Sequence, residues 1–153
     1  MSNHETAPIY QTGHIGLNVS NLEQSRQFYQ DVFDFDVQAS STEGDHQFVF
    51  LGKEENLILT LWQQSEGQFG KHTPGLHHLS FQVANIDALL ATQDKLRAMG
   101  ANLLYDDIVT HAEGTASGAI YFEDPDGIRL EVYSPDGAEE YEALSDGPAC
   151  GFF

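Results

Sequence analysis

The sequence is poor in positive charge and contains no long apolar run. It carries 6 Lys and Arg residues against 24 Asp and Glu residues, which gives a formal net charge of −18. Because a phosphate backbone is bound through clustered Lys and Arg, nucleic acid is not expected as a partner. An anionic membrane surface is disfavoured for the same reason. No stretch approaches the roughly 18 uninterrupted apolar residues that a membrane-spanning helix requires.

The sequence has one cysteine and no obvious targeting segment. The single cysteine, Cys150, cannot form an internal disulfide and stands in the C-terminal sequence GPACGFF without a second thiol, so we interpret it as incidental. The N-terminal sequence MSNHETAPIY lacks the basic and apolar regions of a secretory signal. A cytoplasmic location is therefore the expectation.

The acidity of the chain has two interpretations. An acidic surface can guide cationic ligands to a protein. It can also be the solvated surface of a salt-adapted protein. We favour the second interpretation, because the acidic residues are spread along the chain and are not gathered in one tail.

The chain repeats itself within the length of one domain. Its 153 residues, 41% of them hydrophobic, suit a single domain over residues 1–153. The segments HIGLNV and HLSFQV both alternate apolar with polar residues, which predicts two half-buried strands. Superposing His14 on His78 aligns further positions in one register. These are Val19 with Val83, Asn21 with Asn85, Leu22 with Ile86, and Glu23 with Asp87.

A helix followed by three strands is predicted in each half. Asn21 and Asn85 stand at N-cap positions, and the amphipathic segments LEQSRQFYQDVF and IDALLATQDKLRAMG follow them, the second ending at Gly100. Strands are then predicted at FDVQAS, HQFVFLG and NLILTLWQQ, and at ANLLYDD, GAIYFE and IRLEVYSP, with DPDG as the tight turn between the last two.

The predicted fold is accordingly α+β, with two tandem βαβββ modules forming a curved, cleft-forming mixed sheet. Module 1 spans about residues 12–65, a linker covers 66–75, and module 2 spans about residues 76–134. An acidic tail, 135–153, follows. It either covers the cleft of its own or a neighbouring subunit or is a mobile tail, and we favour the mobile tail.

Three side chains from three strands are candidate metal ligands. His14 and His78 stand at equivalent ends of equivalent strands, so pseudo-twofold symmetry predicts that they face each other across a cleft. Glu131 lies between two apolar residues of IRLEVY, and a carboxylate in such a strand is costly to bury unless it is paired or coordinated. Two imidazoles and one carboxylate form the facial triad of non-haem Fe(II) sites.

A lone histidine is more often a structural residue than a ligand, and His77 is a rival for His78. The repeat equivalence with His14 favours a functional role for His78. Strand alternation favours the same residue, because His78 shares its facing with the polar Ser80 and Gln82.

The segments HIGLNVSNLEQSRQFYQDVFDF, HHLSFQVANID and YFEDPDGIRLEVY resemble the vicinal-oxygen-chelate superfamily of glyoxalases, fosfomycin-resistance proteins and extradiol dioxygenases. The resemblance implies that His14, His78 and Glu131 bind one divalent metal ion, with Fe(II) or Mn(II) favoured and Zn(II), Ni(II) or Co(II) also suited to these ligands. It further implies a homodimer and a small-molecule substrate that binds through two adjacent oxygens.

Among the chemistries of this superfamily, the resemblance favours extradiol dioxygenases. Tyr121 falls on the position of their active-site tyrosine and His111 lies close to that of their histidine. A phenol and an imidazole beside the metal could hydrogen-bond a catecholate and exchange protons. The structural alternatives are that Tyr121 is a core aromatic and that His111 is a loop histidine without a catalytic role.

Three other functions remain open. Glyoxalase I has a further glutamate ligand in module 1, where this chain has about Thr60. Fosfomycin-resistance transferases hold a phosphonate with basic residues, for which Arg129 is the candidate. A metal-free protein that sequesters a basic drug such as bleomycin would suit the acidity. An apolar substrate pocket could be lined by five aromatic residues, which could equally belong to the hydrophobic core. These are Phe48, Phe50, Trp62, Phe69 and Tyr121.

Overall fold

The computed structural model describes residues 6–144 and residue 149. Two βαβββ modules follow one another, as the repeat predicts. Module 1 contains β1 (Ile15–Val19), α1 (Leu22–Phe33), β2 (Asp36–Ser41), β3 (Phe48–Lys53) and β4 (Asn56–Gln63). Module 2 contains β5 (Leu79–Gln82), α2 (Ile86–Met99), β6 (Val109–Thr110), β7 (Gly118–Glu123) and β8 (Arg129–Ser134). No helix in this part of the chain is long and apolar enough to cross a membrane.

Each module forms its own four-stranded mixed sheet, and the two sheets have the same strand order. The first runs β1-β4-β3-β2 and the second β5-β8-β7-β6. The first strand of each module pairs in parallel with its last strand, and the other pairings are antiparallel. The predicted α+β class with two tandem modules is therefore confirmed.

Both helices begin at the predicted caps. The side chains of Asn21 and Asn85 accept hydrogen bonds from the backbone N–H groups of Gln24 and Ala88, each at 3.0 Å. Such bonds satisfy N–H groups that have no partner within a helix. α2 ends at Gly100, whose φ of 68° is the left-handed conformation that favours glycine.

Two sequence predictions in module 2 are wrong. The segment ANLLYDD forms a single bridge, Leu103 to Phe122, and the first strand after α2 is instead Val109–Thr110. The side chain of Asp107 explains the shift, because it accepts hydrogen bonds from the Ile108 backbone and from Gln93 of α2 and so holds an irregular turn. Met99 is an apolar residue of the predicted amphipathic helix and is therefore expected to face the core, but it is 38% exposed.

One hydrophobic core joins the two modules, and α1 provides the contact between them. Phe33 of α1 packs on Phe81 of β5 with ring centroids 4.5 Å apart, and Phe28 lies 6.3 Å from Phe122 of β7. The faces of both sheets that carry Leu, Val and Ile side chains therefore point towards the helices. The opposite face of each sheet, called here its outer face, carries the polar residues of the alternating strands.

The DPDG turn of module 2 is bound by module 1. The Tyr29 hydroxyl of α1 donates to the buried carboxylate of Asp124 at 2.8 Å. Asp126 accepts hydrogen bonds from the backbone N–H and the hydroxyl of Ser20, and its carbonyl accepts from the Phe69 backbone. This turn therefore closes a strand hairpin and also fastens the two modules together.

Asp124 should make the stability of the fold depend on pH. Burial raises the pKa of Asp124 to about 6, although hydrogen bonds from Ile128, Tyr29 and Asp126 act in the opposite direction. Because this folded-state pKa lies above the ordinary value of 3.8, protonated Asp124 stabilises the fold fully below about pH 4, and the stabilisation is lost as the pH rises through 6.

We therefore expect Asp124→Asn to gain stability relative to the parent protein between pH 4 and pH 7, by on the order of 2–3 kcal/mol. An asparagine stays neutral, its Oδ1 can accept the same two backbone bonds, and its amide can donate to the Tyr29 oxygen. Urea unfolding at several pH values measures the difference. A difference that does not change with pH would contradict the assignment to Asp124.

A candidate site around Glu131

Glu131 is buried on the outer face of the second sheet. Its neighbours in β8, Leu130 and Val132, point into the core, so alternation turns Glu131 to the other side, as the sequence predicts. The register places it beside Ser80 of β5 and Tyr121 of β7. Only 3% of Glu131 is exposed, so its charge needs partners within the protein.

Three sequence-predicted residues converge on this carboxylate. His111 Nε2 lies 2.6 Å from Oε1, His78 Nε2 lies 3.2 Å from Oε2, and the Tyr121 hydroxyl donates to Oε1 at 3.3 Å. Burial alone would raise the pKa of Glu131, but the hydrogen bond and charge of His111, with the charge of His78, outweigh it and hold this pKa below its ordinary value. The carboxyl is therefore ionised at neutral pH.

Ser117 and Ser80 belong to the same network, and sequence reasoning missed both. The second ring nitrogen of His111, Nδ1, lies 2.8 Å from the hydroxyl of Ser117, which fixes the orientation of the imidazole. Ser80 hydrogen-bonds the carboxylate and helps to lower the pKa of Glu131. The position of Ser80 in strand register with Glu131 was the available signal, whereas Ser117 lies in a loop without periodicity.

His14 does not join this group. It precedes β1 in module 1 and is exposed. Among residues 6–144 and 149, no three His, Cys, Asp or Glu side chains are arranged to hold a metal ion. The three predicted ligands are therefore not assembled within the described part of one chain, and the pairing of His14 with His78 stays a prediction. Sequence symmetry makes the two positions equivalent within their modules, but the modules meet through α1 and not through their outer faces.

His77 contacts His78, and Arg129 contacts His77. Its Nδ1 lies 2.8 Å from Nδ1 of His77, and the backbone carbonyl of His77 accepts a hydrogen bond from Nε of Arg129 at 3.0 Å. Arg129 is itself buried and two residues from Glu131 along β8. A fixed guanidinium therefore stands beside the candidate site.

Thr60 is the module 1 counterpart of Glu131. Gly16 of β1 pairs with Thr60 of β4, just as Ser80 of β5 pairs with Glu131 of β8. The Thr60 hydroxyl accepts a hydrogen bond from the indole N–H of Trp62 at 3.0 Å. The register thus supports the sequence alignment of these positions, and module 1 presents a neutral hydroxyl where module 2 presents a carboxylate.

Aromatic rings cover part of the outer face of module 1. Phe48, Phe50 and Trp62 are half-buried, with ring centroids 4.8–5.6 Å apart. Phe69 packs instead against the common core, and Tyr121 is fully buried. Of the five aromatic residues that were candidates for a pocket, three therefore form one cluster on an outer face.

The described part of the C-terminal segment packs on module 2 and differs from the expected mobile tail. Ala138 is fully buried and its N–H donates to Ala116 O at 2.9 Å, and Ala143 forms a bridge with Thr110. Ala149 is also fully buried, in a small cluster with Tyr121, and its carbonyl accepts from Tyr105 at 2.9 Å. This segment therefore lies against the Tyr121 side of the site. Cys150 lies outside the described residues.

The sequence model of the Glyoxalase/Bleomycin resistance protein/Dioxygenase superfamily matches residues 11–132, and the chain belongs to that superfamily. The comparison thus agrees with the resemblance seen in the sequence. The C-terminal segment that packs beside Tyr121 lies beyond the matched residues.

Two curated Bacillus proteins are similar to this chain. The trivalent organoarsenical cleaving enzyme of Bacillus sp. (strain MD1) is 29% identical over 139 residues, which are 90% of this chain and 80% of that protein. The catechol-2,3-dioxygenase of Bacillus subtilis (strain 168) is 30% identical over 130 residues. These are 82% of this chain but 43% of the dioxygenase, so this chain matches less than half of that protein.

Solved structures share the fold. The fosfomycin resistance protein FosX from Listeria monocytogenes, crystallised with Mn(II) and sulfate, superposes with a TM-score of 0.63 at 19% identity, covering 83% of this chain and 93% of its own. The likeness extends over both modules.

Substituting Gly118 should loosen the C-terminal segment. A Cβ built at Gly118 would lie 2.5 Å from Cβ of Ala138 and 3.2 Å from the Val109 carbonyl, so Gly118→Ala must displace the segment. We expect a loss of about 1–3 kcal/mol and faster hydrogen exchange at the Ala138 amide. Gly13→Ala, where a Cβ meets nothing within 4 Å, is the control. Unchanged exchange at Ala138 would contradict the packing described.

Proposed function

We propose that this protein is a divalent-metal-dependent enzyme that cleaves the ring of a small aromatic diol, in the manner of an extradiol dioxygenase. The observation that carries the proposal is the convergence of His78, His111 and Tyr121 on the buried carboxylate of Glu131. The alternative interpretations are that Tyr121 is only a core aromatic and His111 only a loop histidine. These structural roles do not account for the contact of both side chains with the same ionised carboxylate.

His78 and Glu131 would hold the metal, together with His14 of a second copy of the chain. The Nε2 of His78 and the Oε2 of Glu131 are already adjacent at 3.2 Å, and imidazole and carboxylate suit Fe(II) or Mn(II). His14 is exposed immediately before β1 of module 1, from where a second copy can present it to this pair. The metal would supply a Lewis acid that binds both oxygens of the diol and orients it for reaction with dioxygen.

His111 and Tyr121 would exchange protons with the substrate and orient it by hydrogen bonds. Both contact Oε1 of Glu131, and the other ring nitrogen of His111, Nδ1, is hydrogen-bonded to the Ser117 hydroxyl. An imidazole beside the metal can hydrogen-bond the second hydroxyl of a bound diol and exchange a proton with it, and this is the role proposed for His111. The Tyr121 phenol donates a hydrogen bond and can stabilise negative charge that develops on the substrate oxygens.

The surroundings of the site suit an aromatic substrate. Tyr105 stacks edge-on against Tyr121 with ring centroids 5.5 Å apart, and Ala149 lies in the same cluster. The rings of Phe48, Phe50 and Trp62 on the outer face of module 1 could be presented by a second copy together with its His14. The similarity to a catechol-2,3-dioxygenase supports this substrate class.

A second candidate is transfer to a phosphonate, as in fosfomycin resistance. The buried guanidinium of Arg129, held against the His77 carbonyl, is the observation that favours it. Organoarsenical cleavage is less well supported. Trivalent arsenic is thiophilic, and this chain has a single cysteine, Cys150.

The proposed ligands should be required for metal retention. We expect near-stoichiometric iron or manganese in protein purified without oxygen, and a loss of about tenfold or more in metal affinity for Glu131→Ala, His78→Ala and His14→Ala. Elemental analysis measures the metal content, and His72→Ala, in an exposed loop, is the control. Mixing His14→Ala with Glu131→Ala should restore up to one intact site per mixed dimer. Retention of metal by all three variants would refute the centre.

Tyr121→Phe should slow turnover without releasing metal. Removing the phenol hydroxyl deletes one hydrogen bond to the reacting oxygens, and we expect kcat for a catechol to fall about 100-fold. Oxygen uptake with catechol as substrate measures the rate. Tyr133→Phe is the matched control, because its hydroxyl is on the same face but donates to Gln82 at 2.8 Å. Equal rates for Tyr121→Phe and the parent protein would remove Tyr121 from the mechanism.

A further inference from the structure

A cavity of about 490 Å³ lies between α1 and α2, on the core side of the second sheet. Pockets of a few hundred Å³ that are mostly apolar, with few polar groups, are typical of small-molecule sites. The apolar walls come from both helices and from β4, β5 and β8. The main lining residues are Val32, Phe33, Ile58, Phe81, Ala91 and Val132.

Small side chains on α2 leave this space open. Ala88, Ala91 and Thr92 line one wall, and they lie on the same side of the helix because Ala91 and Thr92 follow Ala88 by three and four residues. The opposite wall is the pair Phe33 and Phe81, whose ring centroids are 4.5 Å apart. A flat ring or a short hydrocarbon chain can therefore enter between the aromatic pair and α2.

Lys95 supplies a cation at the rim of the cavity. Its ammonium donates a long hydrogen bond, 3.3 Å, to the Val32 carbonyl, and no carboxylate of residues 6–144 lies within ion-pair distance of it. Lys53 and Lys71, by contrast, pair with Asp34 and Glu123. In a chain with a net charge of −18, a lysine beside an apolar cavity without such a pair is suited to an anionic ligand.

The cavity is separate from the candidate metal site. Val132 and Phe81 line it from one face of β8 and β5, whereas Glu131 and Ser80 face the other side of the same strands. A ligand here would not touch His78, His111 or Tyr121.

We propose that this cavity binds a small apolar anion, an aromatic or short-chain aliphatic carboxylate or sulfonate. The apolar part lies between Phe33 and Ala91, and the anionic group pairs with the ammonium of Lys95. The single cation and the apolar walls match a ligand with one charge and a hydrocarbon body, and they offer nothing for a polyanion such as a nucleotide.

Two fluorescent probes of similar shape test the charge. Anilinonaphthalene sulfonate is an apolar anion, and N-phenyl-1-naphthylamine is its uncharged analogue. We expect saturable binding of one equivalent of each to the full chain. Lys95→Gln should weaken the sulfonate about fivefold, the effect of one partly exposed ion pair, and leave the amine unchanged. Arg97→Gln, on the same helix but bonded to the Asp106 carbonyl, is the control for net charge.

Ala91→Phe tests the location. The larger side chain fills the cavity, so binding of both probes should fall at least tenfold, and octanoate should displace both probes from the parent protein. Circular dichroism verifies that each variant is folded, and Ala91→Ser, which keeps the cavity open, should bind as the parent does. His78→Ala should also bind both probes, so this test is independent of the metal centre. Equal losses for Lys95→Gln and Arg97→Gln, or full binding by folded Ala91→Phe, would overturn the proposal.

Discussion

The bond between Tyr29 and Asp124 is the contact on which the arrangement of the two modules depends. The phenol comes from the helix of module 1 and the carboxylate from the tight turn of module 2, and both are buried. Asp126 adds two hydrogen bonds from Ser20 in the same place. These bonds keep α1 against the second sheet, where Phe28 and Phe33 complete the common core.

This packing determines which surfaces remain open for chemistry. The apolar faces of both sheets are buried against helices, so the outer faces must present the polar positions of the alternating strands. Glu131 consequently lies on the outer face of the second sheet, whereas His14 is exposed immediately before β1 of the other module. The same contact that stabilises one chain thus leaves His14 exposed, and this is the reason for invoking a second copy to complete the proposed centre.

Local pattern was sufficient to predict most of the strands, the caps and the direction of Glu131, because each depends on neighbours in sequence. Leu130 and Val132 determine the facing of Glu131, and Asn21 and Asn85 begin the helices wherever the modules lie. Local pattern was insufficient where the structure depends on contacts between residues far apart in sequence. The strand Val109–Thr110 is held by β7 and by the C-terminal segment. The mutual orientation of the modules depends on side chains far apart in sequence, such as Tyr29 and Asp124, and local pattern does not contain it.

The two oxygens of Glu131 have different surroundings, and this difference explains how one carboxylate can serve both parts of the proposed site. Oε2 is next to His78, and Oε1 is next to His111 and Tyr121. A ligating carboxylate is commonly held by hydrogen bonds at the oxygen that does not bind the metal, and these bonds orient it. Coordination on the Oε2 side would replace the contact with His78, and His111 and Tyr121 would remain close enough to exchange their hydrogen bonds at Oε1 for bonds to the substrate oxygens. The ionised state of Glu131, which its imidazole neighbours favour over the cost of burial, suits it for that role.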